Sequence, residues 1–219
     1  MGRHATTATL AEAARLALAA PSIFNTQPWR WVIHGAMLEL RADHSRQLRA
    51  VDPTGRMLTI SCGVALHHAV VALYPHTAEV GLYPDPADPG LLAIVRVSDG
   101  DSDRRMTALR EAIGVRRTDR RAFGKKPVFG NILDRLAAVC HEQHAHLYQV
   151  PWQHMPAFAL AAVAAGALQL SDPEYRIELA DWTHRPVWSG DGVPVETAAG
   201  KQARRVPVRD FAPFGGEET

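Results

Sequence analysis

Apolar residues recur at helical spacing through Leu10, Ala14, Leu16, Ala17 and Leu18, and threonines stand just before them. This predicts a helix from Thr6 to Ala20, capped by a threonine hydroxyl and stopped by Pro21. The period then changes: "WRWVIHGAMLELRAD" alternates on both sides of His34-Gly35, which predicts a hairpin. "DPTGR" at 52–56 reads as a turn, and Arg56 to Tyr74 returns to an apolar helical pattern. Leu58, Cys62, Ala65, Leu66 and Ala69 share one face there, so this is the expected core helix. Of its two neighbouring histidines, His67 and His68, one is expected to be buried and hydrogen-bonded and the other exposed.

Two further strands are predicted at Ala78–Tyr83 and Leu91–Val97, around the turn-forming "PDPADPG". A helix from Asp103 to Val115 leads into the basic connection "RRTDRRAFGKKPV". A helix from Asn131 to His144 is expected to bury Leu133, Leu136, Ala137 and Cys140. His146–Val150 reads as a strand, Pro156 to Leu170 as an alanine-rich helix, and Asp172-Pro173 starts a last helix through Trp182. After Arg185 the periodicity is lost, and the tail "FAPFGGEET" has the composition of a disordered segment. The order predicts an α+β fold in which a sheet packs on long helices. Helix-then-strand at the start recurs after residue 129, which hints at duplication and divides the chain into units at 1–115 and 116–219.

Composition narrows the class of partner. At 47% hydrophobic and 21% charged, the 219 residues suit a globular domain. A net charge of +1 offers no bulk attraction for nucleic acid or an anionic membrane. Cys62 and Cys140 each sit among apolar residues and read as buried free thiols in a reducing compartment. No basic start with a following apolar run marks a signal peptide. The apolar stretch from Ala157 to Leu170 falls short of the roughly 20 residues a bilayer span needs. A cytoplasmic protein without membrane or nucleic-acid partners is the expectation.

Two stretches carry candidate chemistry. In "PSIFNTQPW" at 21–29, the polar groups of Ser22, Asn25, Thr26 and Gln27 are framed by Pro21, Pro28 and Trp29. Hydroxyl and carboxamide groups donate and accept together, as the edge of a planar heteroaromatic ring requires. Trp29 and Trp31 fall on one side of the following strand and would floor the turn. A turn whose side chains satisfy only its own backbone is the alternative. In "RRTDRR" at 116–121, guanidinium groups and a hydroxyl could cradle a phosphate, or form a solvated basic loop paired with Asp119. His141 and His144 share a helical face, but no carboxylate or cysteine completes a zinc set, so no metal site is expected. The chain has no Gly-rich phosphate loop and no nucleophile elbow, and no catalytic side chain stands out.

Taken together, "APSIFNTQPWRW" and "RRTDRRAF" resemble the flavin-binding motifs of the nitroreductase superfamily, most closely its Acg-like branch. "DPTGRMLTISCGVAL" at 52–66, "DPEYRIELADW" at 172–182, "GDGVP" at 190–194 and "VPVRDF" at 206–211 extend the resemblance along the chain. It implies a sheet flanked by long helices, a fused pseudodimer, and FMN held between two similar units. It would place Pro21, Ser22 and Asn25 against the isoalloxazine, supported by Gln27 and Trp29. Arg116, Thr118 and Arg120, with Arg117 nearby, would lie at the phosphate and ribityl chain. The implied activity passes hydride from NAD(P)H to the flavin and then electrons to a nitroaromatic or quinone. A non-catalytic FMN-binding or sequestering protein, or an inactive remnant, is the alternative. Two departures stand out: Phe24 replaces the usual histidine, and the chain stops soon after "VPVRDF". The second unit is therefore expected to be incomplete and to leave Leu133, Leu136, Val163 and Leu168 uncovered, a route to homo-oligomers.

Overall fold

A computed structural model describes residues 6–100, 103–120, 126–183 and 185–194. The end of the basic stretch, "VPVRDF" and the tail expected to be disordered lie outside the described residues, as do Val206, Val208 and Phe211. Helix α1 covers Thr7–Ala17, and Thr6 caps it through a reciprocal pair with Thr9. Strands β1 (Trp29–His34) and β2 (Met37–Ala42) form the predicted hairpin. They are followed by α2 (Arg56–Ala72), β3 (Thr77–Leu82), β4 (Leu91–Ser98) and α3 (Arg104–Val115). Helices α4 (Gly130–Glu142), α5 (Met155–Ser171) and α6 (Pro173–Thr183) complete the list.

The chain divides into two compact units. The first runs to Asp119 and takes up the chain again from Ile177; the second runs from Arg120 to Arg176. In the first, four antiparallel strands lie in the order β1-β2-β4-β3. Alternation sorts the β2 side chains, sending Leu38, Leu40 and Ala42 to the buried face. Across the ladder, Leu40 pairs with Trp31 and Ala93, and Leu38 with Ile33 and Val95. Leu58, Cys62, Ala65 and Ala69 of α2 are all buried, as the helical spacing predicts, while Leu66 is only half-buried. Leu10, Ala13 and Ala17 of α1 join this core, with Ile113 of α3.

Helix α2 begins after Gly55, which has no side chain to cap it. Asp52 performs the task from three residues back: its buried carboxylate accepts the Leu58 N–H at 2.9 Å. The negative charge also complements the helix N-terminus.

The second unit departs from the sequence reading in three respects. No described side chain between residues 126 and 174 is buried. Leu136 and Ala137 are exposed and Leu133 and Cys140 only half-buried, against the expected buried side of α4. The exposure of Leu136, Val163 and Leu168 agrees with the expectation that they would be uncovered. The helical stripe on α4 is present, but no described element covers it, so the expected buried side is not realised. His146–Val150 forms no strand, because no described segment offers it a ladder partner. The apolar helical run is also longer than its composition suggested: with a short 3-10 turn it spans Trp152–Ser171, 20 residues. By length and composition alone, that stretch could cross a membrane.

Replacing Asp52 by Ala should lower stability by about 1–2 kcal/mol, the usual worth of an N-cap. Asp52→Asn should lose less, because its amide oxygen can still accept. Urea unfolding of the three proteins checks this, and equal midpoints would exclude the capping role.

Candidate functional site

The stretch from Pro21 to Trp29 is strained. Phe24, Asn25 and Gln27 all adopt left-handed backbone conformations, with φ of 48°, 55° and 48°. For residues other than glycine this costs roughly 1–2 kcal/mol each, with asparagine at the low end. Such a cluster persists only where the surroundings over-determine it.

The surroundings do so from three directions. Locally, the Ser22 hydroxyl accepts the Gln27 N–H at 2.9 Å, and the Asn25 and Thr26 N–H groups close a 3-10 turn onto the Ser22 and Ile23 carbonyls. From α2, Ser61 Oγ accepts the Ile23 N–H at 3.1 Å while donating to the Met57 carbonyl. The Cys62 thiol donates to the Pro28 carbonyl at 3.2 Å. Burial pushes that thiol up to about 12, so it stays protonated and serves as a tie rather than a nucleophile.

The third direction is the "GDGVP" segment, within the same unit. Asn25 Nδ2 donates to the Gly192 carbonyl at 3.0 Å, and the Gly192 N–H returns to the Asn25 carbonyl at 3.1 Å. Gln27 Nε2 donates to the Gly190 carbonyl at 2.7 Å. Gly192 has to be glycine: its φ is +76°, and a Cβ there would meet the Trp182 carbonyl oxygen at 2.8 Å. Between the glycines, the buried Asp191 carboxylate takes Arg46 at 2.8 Å and Arg185 at 3.0 Å. Arg46 also donates to the Thr26 carbonyl at 2.8 Å, so one guanidinium joins the acid to the turn. Arg185 lies over the Trp182 ring, 3.9 Å from its centroid. Burial pushes the Asp191 carboxyl up, but Ser189, Arg46 and Arg185 together outweigh this and hold it below the ordinary aspartate range.

Each predicted site residue now has a place. Pro21 and Ser22 lead into the turn, half-buried. Asn25 and Gln27 spend their amide nitrogens on backbone carbonyls, so much of the turn's polarity is structural. Asn25 Oδ1, Gln27 Oε1 and the Ser22 hydroxyl proton have no partner among the described residues, leaving two acceptors and one donor. Trp29 and Trp31 lie on the buried face, and their indole N–H groups are buried without a partner among the described residues, as is the Thr26 hydroxyl.

Arg116 links the two predicted motifs. Its Nε and Nη2 donate to the Ala19 carbonyl at 3.2 and 3.0 Å, two residues before Pro21. Its Nη1 donates to Thr118 Oγ1 at 3.2 Å, leaving two of its five N–H groups without a partner among the described residues. Arg117 turns back to the Gly114 and Arg116 carbonyls and caps α3. Arg120 opens the second unit, half-buried, and burial pulls its guanidinium below the ordinary arginine value. His141 approaches His146 with ring centroids 6.3 Å apart, but no metal-binding group of three ligands occurs among the described residues.

Sequence reasoning gave no role to Ser61, Arg46, Arg185 or Asp191. Only the glycines around Asp191 were a signal for it. Arg46 had none, because its partner lies 145 residues away.

No protein-family model matches the chain. A protein of Mycobacterium tuberculosis named "Putative NAD(P)H nitroreductase Rv3131" is 41% identical over 205 residues, 92% of this chain and 56% of its own length. Another from the same organism, "Putative NAD(P)H nitroreductase acg", is 33% identical over 213 residues, 94% of this chain and 63% of its own. The chain thus spans somewhat over half the length of the curated relatives it matches.

Asn25→Gly should lose the Gly192 bond but keep the left-handed backbone, whereas Asn25→Ala loses both. Alanine should therefore be the less stable by about 1 kcal/mol, read from chemical denaturation. If the two variants melt alike, the turn is not strained at Asn25. The depressed Asp191 pKa carries its own sign: stability from the carboxylate is present above the unfolded aspartate value of about 3.9 and is lost as pH falls through the lower folded value. Asp191→Asn should flatten that part of the acid-unfolding curve. An unchanged curve would separate Asp191 from the effect.

Proposed function

We propose that this chain is a nitroreductase-type oxidoreductase that uses bound FMN to pass electrons from NAD(P)H to a small-molecule acceptor such as a nitroaromatic or quinone. The observation that carries the reading is the strained turn, held from three sides yet left with two acceptors and a donor that have no partner among the described residues. That arrangement fits a flavin edge, which offers one N–H donor among several acceptors. Asn25 Oδ1 or Gln27 Oε1 would accept the ring N–H, and the Ser22 hydroxyl would donate to a ring nitrogen or carbonyl. The two remaining N–H groups of Arg116, with Thr118 and Arg120, would hold the phosphate, while Arg117 acts as a helix cap.

FMN, when bound, supplies the two-electron chemistry. The protein's own contribution is orientation. Bonds fixed before the ligand arrives do not have to be ordered on binding, so the rigid turn reduces the entropic cost of seating a planar ring. No side-chain nucleophile is required, in keeping with the inert thiol of Cys62.

Titration of the purified chain with FMN and riboflavin tests the assignment. FMN should bind at least about tenfold tighter, a difference of about 1.4 kcal/mol, since its phosphate adds charge-assisted hydrogen bonds. Arg120→Ala combined with Thr118→Val should shrink that gap and leave riboflavin unaffected. Equal affinities for both flavins in the unaltered chain would remove the phosphate assignment. Bleaching of the yellow complex by NAD(P)H then separates an enzyme from a protein that only holds flavin.

A further inference from the structure

On the core-facing side of the sheet, α2 leaves the end of β3 uncovered. Leu82 stands opposite Ala93, which stands opposite Leu40, so the three side chains share one face. Leu40 and Ala93 are buried, yet Leu82 is 62% exposed. Between α2 and these strands lies a cleft of about 160 Å³. Its lining includes the buried Leu40, Cys62 and Ala93, with the exposed Leu82 and Tyr83 at the rim. The volume is close to that of an engineered apolar cavity of about 150 Å³ that takes one benzene molecule.

Gly63, on the helix wall of the cleft, marks the space that the chain leaves open. It sits in the middle of α2, where glycine is less favourable than any residue but proline. Neither a positive φ nor a close neighbour calls for it, since a Cβ there would meet no atom within 4 Å. What the missing side chain provides is room beside the helix backbone.

The polar groups of the lining are already committed. Thr59 Oγ1 donates to the Gly55 carbonyl at 3.0 Å, and the Cys62 thiol to the Pro28 carbonyl at 3.2 Å. Among the described residues, no charged side chain lines the cleft. A charged ligand would lose water there and gain no ion pair. An uncharged ring gains apolar contact with Leu40, Leu66, Leu92 and Ala93 at no such cost.

We infer that this cleft binds a small uncharged compound with a single six-membered ring, the ring seated between Gly63 and Leu82. A polar substituent can point past the exposed Tyr83 into water. The site shares no residue with the groups proposed to hold a flavin, so its test does not depend on that reading.

Benzyl alcohol is the probe, with benzoate and benzylammonium as the same ring carrying either charge. Titration by calorimetry or ligand-detected NMR should show saturable binding of benzyl alcohol, and each charged counterpart should bind at least tenfold more weakly. Gly63→Leu puts a side chain into the open space and should abolish this binding. The variant should melt at an equal or higher temperature, because leucine favours a helix more than glycine does. If it does not fold, Leu82→Ala, which removes the exposed wall, should weaken benzyl alcohol at least threefold. The inference is overturned if benzyl alcohol fails to saturate, if either charged counterpart binds as tightly, or if the change at the cleft wall leaves its affinity unaltered.

Discussion

The candidate site depends on one constraint: three residues of the turn at 22–27 stand in a backbone conformation they would leave if released. What holds them is an exchange of hydrogen bonds with the two glycines that flank a buried aspartate far along the chain. The Asn25–Gly192 pair is reciprocal, and Gln27 adds a parallel bond to Gly190. Each such bond contributes roughly 1 kcal/mol net, so no single one offsets the strain of three left-handed residues. The set of them can.

The ties form a closed circuit within the first unit. Glu178 of α6 accepts the Ala50 and Val51 N–H groups, just before the aspartate that caps α2. Helix α2 then presents Ser61 and Cys62 to the two ends of the turn. From the far end of α6, the Trp182 carbonyl accepts the Val193 N–H and so positions the segment that carries Gly190 and Gly192. Displacing any one of these elements would move the side-chain oxygens of Asn25 and Gln27, the groups a planar ligand would meet.

Asp191 is the charged element of that circuit. A buried carboxylate carries a desolvation penalty that its partners must offset, and such pairs often add little net stability compared with an apolar replacement. Its two arginines stay partly in water, which limits the penalty, and Arg46 reaches both the acid and the turn backbone. The cluster therefore fixes geometry more than it raises stability. A hydrophobic residue at position 191 could fill the space but could not orient Arg46 toward the Thr26 carbonyl.

Local pattern determined the elements. Helical spacing marked α1, α2 and α3, alternation marked the β1–β2 hairpin, and Gly and Pro marked their ends, because each of these signals is carried by neighbours in sequence. The resemblance to nitroreductases was legible in the same way, from the residues of the turn and of the basic stretch. Tertiary structure decided what those residues do. Amide groups that read as ligand contacts on Asn25 and Gln27 serve first as tethers, since carbonyls from residues 190 and 192 reach them. Arg117 caps its own helix while Arg116 grips the Ala19 carbonyl, a distinction that two adjacent arginines do not display. The stripe on α4 looked like a buried face because apolar spacing records what a helix could cover, not whether another element is there to cover it. Burial and long-range hydrogen bonds are properties of pairs, and the partner's position is set only when the chain has folded.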